Sequence, residues 1–169
     1  VFRVSDGLFL EAVRAVRDEF PDFEYEEQIV DAMAALLIRD PAQFDVIVTT
    51  NMYGDILSDE ASEIAGSLGM AASLNAGEHF AMAQAQHGSA PSLAGQDIAN
   101  PSSLIGSAAM LLRWIAERND APHFVLAAKA IESAVSTVVA NPRTRTRDLG
   151  GKLGTSAYTD KLLEIINRC

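Results

Sequence analysis

The sequence contains very little cysteine, little positive charge and no long uninterrupted apolar run. Its single cysteine is Cys169, the last residue, so a disulfide framework is excluded and a reducing, cytoplasmic location is expected. The 13 Lys and Arg residues against 23 Asp and Glu give a net charge of −10, which disfavours nucleic acids and anionic membranes as partners. Because no apolar run reaches about 18 residues, no membrane-spanning segment is expected.

Two familiar phosphate-binding motifs are also absent. Neither a G-x-G-x-x-G pattern nor a P-loop occurs in the sequence, which argues against the usual nucleotide-binding loops. The chain of 169 residues is 49% apolar and 21% charged, as expected for a globular protein with a sizeable core. It opens on Val1 rather than Met, and residues 1–4 are typical of a strand already under way. We therefore expect a fragment of a longer protein.

Residues 44–60 predict a strand that leads into a helix through a turn. Residues 44–49 alternate and are rich in Val, Ile and Thr, a pattern typical of a short, mostly buried strand. Gly54 favours a turn at residues 51–54, and apolar residues recur at helical spacing from Asp55 onward. In open α/β sheets, ligands bind at the carboxyl ends of strands. The turn is therefore expected to lie beside a ligand.

Three aspartates are candidate metal ligands. Asp55 and Asp59 lie one helical turn apart, so that their charges repel unless they are solvated or share a hard divalent cation. Asp31 stands inside an otherwise apolar helical run at residues 29–38. An acid in such surroundings is either a carboxylate satisfied within the core or a ligand. The spacing of these residues leaves both alternatives open.

Residues 87–101 predict a long loop. The segment reads HGSAPSLAGQDIANP and contains several helix and strand breakers. Loops of this length inside a domain are usually functional, and glycines allow a flat ligand to approach the backbone closely. A plain surface loop is the alternative.

The remaining segments are mainly helical. The predicted helices cover residues 8–19 and 26–39, begin at Pro101 and Pro122, and end with residues 157–167, which Thr155 or Ser156 would cap. Residues 78–86 could form a strand. The arginine-rich loop at residues 143–151 is expected to be solvated, with a phosphate clamp as the alternative.

Four motifs together resemble the β-decarboxylating dehydrogenases, the family of isocitrate, homoisocitrate, 3-isopropylmalate and tartrate/D-malate dehydrogenases. In chain order the motifs are YEEQIVDAM, NMYGDILSDEAS, HGSAPSLAGQDIANP and TRDLGG. The resemblance covers the whole chain and implies the C-terminal half of an isopropylmalate-dehydrogenase-like α/β fold, with strands, packed helices and a helical dimer interface. It also implies that residues 1–50 belong to the small dimerisation domain and residues 51–169 to the large cofactor-binding domain.

The resemblance implies two sites. Mg²⁺ or Mn²⁺ would be bound by Asp55 and Asp59 of one chain and Asp31 of a second chain in a homodimer. The adenosine half of NAD, with NADP as the alternative, would bind to the loop. The implied cofactor-binding residues are His87, Gly88, Ser89, Ala90, Pro91, Ser92, Leu93, Gly95 and Asn100.

This sequence departs from the family pattern at two points. The catalytic lysine and tyrosine and the substrate-clamping arginines of the family precede the region that matches this chain, so no catalytic residue is assigned here. Ser92 stands where NAD-dependent members have an acid, and Ser92 with Leu93 replaces the Lys-Tyr pair of some NADP-dependent members. We therefore expect a weak preference for NAD.

The implied function is metal-dependent oxidative decarboxylation of a 2-hydroxy acid by the intact enzyme, whereas this chain alone is expected to show no turnover. The apolar helix at residues 26–39 is expected to bury Val30, Ala34 and Leu37 against a second copy. The alternative is a truncated homologue that binds metal or a partner without catalysis. A third interpretation, an α/β domain without any site, would make the motifs coincidental.

Overall fold

Six α-helices and one β-hairpin form residues 2–168, the part of the chain that the computed structural model describes. The chain divides into two units, Val1–Ala61 and Ser62–Cys169. This division falls inside α3, whereas the expected domain boundary lies near residue 50, and the assignment to small and large domains stays a prediction. The elements are α1 (Ser5–Glu19), α2 (Val30–Arg39), α3 (Asn51–Ala65), β1 (Ala72–Ala76), β2 (Ala81–Ala85), α4 (Ser102–Asn119), α5 (Pro122–Ala140) and α6 (Thr155–Ile166).

The first unit contains α1, α2 and most of α3. A two-pronged ion pair connects two of its segments: Arg14 of α1 donates to both carboxylate oxygens of Glu27 at 2.6 Å. The Tyr25 hydroxyl donates to the same carboxylate at 2.9 Å. These bonds engage the segment before α2, and the helix begins at Val30 rather than near residue 26 as expected.

The strand predictions of the first unit are wrong for the described residues. Val1 lies outside them, and residues 3–4 form a turn into α1. Phe2 donates its N–H to the Asp6 carboxylate at 2.8 Å while Asp6 donates its own N–H to the Phe2 carbonyl, an exchange that starts a helix. Residues 46–50 form no ladder, and Val46 is 80% exposed. A strand needs a hydrogen-bonded neighbour, and none of the described residues supplies one.

Two further expectations for the first unit need correction. The predicted turn at residues 51–54 is the first turn of α3, because the Gly54 N–H already bonds to the Thr50 carbonyl at 2.8 Å. In α2, Leu37 is buried within this chain, while Val30 and Ala34 are half-buried. Leu37 is therefore not free to pack against a second copy in this conformation, and Ile38 is the exposed apolar residue beside it.

The second unit is built on the packing of α4 against the hairpin and α5. Strands β1 and β2 pair antiparallel from Ala72 opposite Ala85 to Ala76 opposite Ala81. Strand β1 was not expected, because its small residues show little periodicity. They allow a close approach, since a Cβ on Gly106 of α4 would lie 3.1 Å from the Ala72 Cβ.

Helix α4 packs against the hairpin through buried serines. Ser103 and Ser107 are fully buried, and their hydroxyls donate to the Ala71 and Gln84 carbonyls of the hairpin region. Leu104, between the two serines in sequence, is exposed. The serines satisfy hairpin backbone groups that apolar side chains would leave without partners.

Helices α5 and α6 complete the core of this unit. Its centre is a cluster of Ala134, Val138, Tyr158 and Leu162, and the Tyr158 hydroxyl forms a buried 2.6 Å hydrogen bond with Ser102. By length and composition α5 could cross a membrane, the one such helix among the described residues, although no such segment was expected. It packs between α4 and α6, and its Glu132 forms an ion pair with Arg113 of α4.

Candidate functional site

The main candidate site is a cleft in the second unit. Its volume is about 830 Å³. The loop at residues 87–100 forms one wall, and residues from the end of α3, the segment before β1, the loop before α6 and α6 itself form the other. Glu63, Gly69, Asp148 and Thr155 represent these four segments.

The backbone of the loop turns sharply where left-handed conformations occur. Ala90, Gly95 and Asp97 have φ values of 39°, 75° and 54°, and a 3-10 turn covers Pro91–Leu93. A Cβ added to Gly88 or Gly95 would meet no described atom within 4 Å. The cleft side of the loop is therefore open space lined by backbone and small side chains, as the sequence predicts for a flat ligand.

Both ends of the loop are attached to α4. At its start, the Gln86 N–H donates to the Ser103 hydroxyl at 3.2 Å. At its end, the Asn100 carboxamide oxygen accepts a hydrogen bond from the N–H of Ser102, the first residue of α4, at 3.0 Å. Pro101, where this helix was expected to begin, is the residue just before its first helical residue, Ser102.

Asp148, an acid in the arginine-rich loop, holds the far wall of the cleft. Its carboxylate accepts hydrogen bonds from Ser67 at 2.6 Å and Asn100 at 2.9 Å. Partial burial raises the pKa of Asp148, but these hydrogen bonds outweigh burial and hold it below its usual range. A Cβ on Gly69 would lie 2.8 Å from the Asn100 Cβ and 3.1 Å from the Asp148 carboxylate, so this junction requires glycine.

A second acid, Asp97, connects the loop to α6. Its Oδ1 accepts from both the Ser156 N–H at 2.9 Å and the Ser156 hydroxyl at 2.7 Å. These two bonds lower the pKa of Asp97. A cap by the side chain of Thr155 or Ser156 was predicted from sequence, but neither side chain caps α6, which begins at Thr155 after Gly154. The acceptor for the Ser156 N–H is instead Asp97. A local motif could not reveal this contact, because Asp97 lies far away in the sequence.

Most of the predicted cofactor-binding residues line the cleft. They are His87, Gly88, Ser89, Ala90, Leu93, Gly95 and Asn100. Pro91 and Ser92 are exposed and do not line it. The Ser92 carbonyl instead accepts a hydrogen bond from the Gln96 carboxamide within the loop. The Asn100 side chain is already engaged on both sides, with Asp148 and Ser102.

Sequence patterns gave little warning of Asp97 and Asp148. Both are single acids in segments that were interpreted through their glycines or arginines. Arg145, which had been expected in solvent or at a phosphate, donates to the Val139 and Ala140 carbonyls at the end of α5. The only sequence signal for these two residues was an acid close to a glycine, as at Asp97, or next to an arginine, as at Asp148.

The candidate metal ligands lie in the first unit. Asp55 and Asp59 are exposed one turn apart on α3, and Asn51 donates to Asp55 Oδ2 at 3.3 Å. Asp31 is exposed in the first turn of α2, where its carboxylate accepts from the Ala32 N–H at 2.8 Å. Its surroundings are not an apolar core, so the satisfied core carboxylate considered from sequence is excluded.

The donor set fits a hard divalent cation in part. Carboxylates at i and i+4 approach each other on a helix face, and their exposure leaves room for the water ligands that Mg²⁺ retains. Among residues 2–168, no three His, Cys, Asp or Glu side chains form a group that could hold a metal. Asp31 is therefore not brought together with Asp55 and Asp59 within this chain.

Known proteins of one family match nearly the whole chain. A family model described as isocitrate/isopropylmalate dehydrogenase matches residues 1–166. The 3-isopropylmalate dehydrogenase of Sulfurisphaera tokodaii is 45% identical over an alignment of 169 positions that covers 99% of this chain and 48% of that protein. An Arabidopsis thaliana protein named as a mitochondrial NAD isocitrate dehydrogenase catalytic subunit is 39% identical over 165 residues, covering 97% of this chain and 42% of that protein.

A solved structure shares the fold. Isocitrate dehydrogenase from Methylococcus capsulatus superimposes with a TM-score of 0.88 at 40% identity, over 97% of this chain and 47% of that one. The fold is thus a helix-rich α/β fold of the isocitrate dehydrogenase type. The chain belongs to the isocitrate/isopropylmalate dehydrogenase family. It spans about half the length of the relatives that it matches, and the family contains both NAD- and NADP-named members.

Proposed function

We propose that this chain supplies the cofactor loop and the metal-binding aspartates of a dehydrogenase that oxidises and decarboxylates a 2-hydroxy acid of the isocitrate or 3-isopropylmalate type. The cleft of residues 63–155 supports this proposal, because it offers an open backbone surface, engaged at both ends, along the loop that is predicted from sequence to bind the cofactor. NAD is the proposed cofactor, with NADP as the alternative. Mg²⁺ or Mn²⁺ is the proposed metal.

In this arrangement the loop binds the adenosine half of the cofactor. Its glycines and small side chains allow a flat base to approach the backbone, while the hydrogen bonds at Gln86 and Asn100 keep the loop ends in place. Asp55 and Asp59 provide oxygen donors for a cation, and Asp31 of a second copy would add the third. A nicotinamide bound at the loop would supply a hydride acceptor, and a cation held by the aspartates would supply positive charge against the negative charge that develops as CO₂ leaves.

The cofactor part of the proposal is tested by titrating the chain with ADP-ribose, NAD and NADP in a calorimeter. Ala94 lines the cleft and is exposed, so Ala94→Trp should fill the ligand space and weaken ADP-ribose binding by roughly tenfold or more, about 1.4 kcal/mol. Ala15→Trp, at an exposed position of α1, is the matched control. If the chain fails to bind any of the three nucleotides, or if Ala94→Trp binds as tightly as the control, the cleft is not the cofactor site.

A further inference from the structure

Besides its attachments to α4, the loop that lines the cleft is bonded to the N-terminus of α6, mainly through Asp97. The Asp97 side chain accepts two hydrogen bonds from Ser156, and its backbone carbonyl accepts one from the Thr155 N–H at 3.0 Å. The Thr155 hydroxyl donates to the Ala99 carbonyl at 2.6 Å. Four hydrogen bonds thus join residues 97–99 to the first two residues of α6, and Thr155 itself lines the cleft.

The close approach depends on Gly154. A Cβ at this position would overlap the Asp97 carbonyl oxygen and lie 2.7 Å from Asp97 Oδ2. Asp97 itself has φ 54°, a left-handed conformation that Asp and Asn adopt far more readily than other non-glycine residues. The junction therefore depends on three features: the left-handed backbone of Asp97, the carboxylate oxygen of Asp97 and the absence of a Cβ at Gly154.

We propose that Asp97 is a positioning residue, which locks the loop onto α6 and thereby raises the affinity of the cleft for the adenosine part of a nucleotide. The inference rests on the proposed function of the cleft. Residues 88–97 are all exposed, so few packing contacts hold the loop in one shape. A loop that is ordered before binding loses less conformational entropy when the ligand arrives, and the affinity is higher for that reason.

Aspartate is chosen here for its acceptor and its backbone preference, and neither requires a full charge. Asn retains one carboxamide oxygen for Ser156 and tolerates the left-handed conformation. Gly accepts that conformation without strain but has no acceptor. Gly154→Ala leaves Asp97 in place and drives the two segments apart sterically. These three variants separate the hydrogen bonds, the backbone strain and the close approach.

The test measures ADP-ribose affinity by calorimetry and amide hydrogen exchange in the same variants. Asp97→Gly and Gly154→Ala should each weaken binding by roughly tenfold, the effect of one or two lost hydrogen bonds, and should raise exchange at residues 87–99 while leaving α5 protected. Asp97→Asn should bind within about threefold of the original chain. Asp160→Asn on α6 and Gly7→Ala on α1, where a Cβ meets nothing within 4 Å, are the controls and should change neither measurement.

Three results would overturn the proposal. Faster exchange in the loop of Asp97→Gly with unchanged affinity would mean that the attachment does not serve binding. Equal losses in Asp97→Asn and Asp97→Gly would mean that the charge of Asp97, not its acceptor geometry, matters. Unchanged exchange at residues 87–99 in Asp97→Gly would show that the loop is not locked there. If the unaltered chain binds no ADP-ribose, the proposed function fails, and the exchange measurement still decides whether Asp97 locks the loop.

Discussion

The two units of the chain differ in how much of their apolar surface they bury within themselves. The second unit buries an apolar cluster and several serines, and the loop of its cleft bonds to α4 and α6. In the described part of the first unit, only Leu37 and Leu57 are buried. Many of its large apolar side chains are instead exposed, among them Val4, Phe23, Ile29, Ile38, Val46 and Val48.

This difference shows which of the two candidate sites the chain can build from its own contacts. The cleft has walls, bonded loop ends and a neighbouring core within one unit. The aspartates lie on helices that expose apolar side chains. Asp55 and Asp59 provide two ligands at helical spacing, which do not complete the coordination shell of a metal ion. In the proposed homodimer, a second copy of this chain would cover part of this apolar surface and contribute Asp31 to the metal site.

The largest effect is expected in the core of the second unit. Leu162 is 3% exposed and Leu163 is 49% exposed, so the two neighbours form a matched pair. Leu162→Ala should lower the free energy of unfolding by about 2–5 kcal/mol through lost transfer energy and a cavity, and Leu163→Ala by about 0.5 kcal/mol. Urea denaturation measures both. Equal effects would mean that the second unit lacks the tight core described above.

The metal site should respond next most strongly. Mg²⁺ or Mn²⁺ at 100 times its Kd should stabilise the chain by about 2.7 kcal/mol through mass action. Asp55→Asn should abolish this gain while raising the stability without metal by a few tenths of a kcal/mol, because the repulsion from Asp59 is lost. Thermal unfolding with and without metal measures the gain. Asp45→Asn, at an exposed position outside the site, should retain it; a metal response that survives in Asp55→Asn would refute the site.

Self-association through the first unit should weaken when its exposed apolar surface becomes charged. Ile38 is 68% exposed on α2, and burial of such a side chain contributes about 1.5–3 kcal/mol. Ile38→Glu should therefore raise the dimer dissociation constant at least tenfold, or about 1.4 kcal/mol, in sedimentation experiments. Leu163→Glu provides the control in the second unit. A chain that sediments as a monomer at micromolar concentration would contradict the proposed pairing.

The smallest effect belongs to the ion pair on the surface of the first unit. The Arg14 guanidinium, with the Tyr25 hydroxyl, lowers the pKa of Glu27 to about 2. Because the folded pKa lies below the usual value near 4.3, the pair contributes stability above that pH and loses it as the pH falls through about 2. The melting temperatures of the original chain and Glu27→Gln should differ slightly at pH 6 and converge near pH 2. Glu24→Gln should show no such convergence.

The difference between the units also explains which local predictions succeeded. Helices α1, α4, α5 and α6 begin close to their predicted positions, because helical hydrogen bonds form within one segment. The strands expected at residues 1–4 and 44–49 are not formed in the described residues, and β1 was missed. A strand's hydrogen bonds go to another segment, so its existence depends on which neighbour is present.

The sequence by itself determined the family, most of the helices and most of the cleft residues. Its motifs are continuous and specific, so residues such as His87 and Gly95 could be assigned to the loop without knowledge of their neighbours in space. Only the tertiary structure decided that Ser103 and Ser107, rather than Leu104, face the hairpin, and that Asp97 and Asp148 hold the loop. The reason is physical: a buried hydroxyl or a capping carboxylate is favourable only beside its partner, and these partners lie between 23 and 81 residues away in the chain.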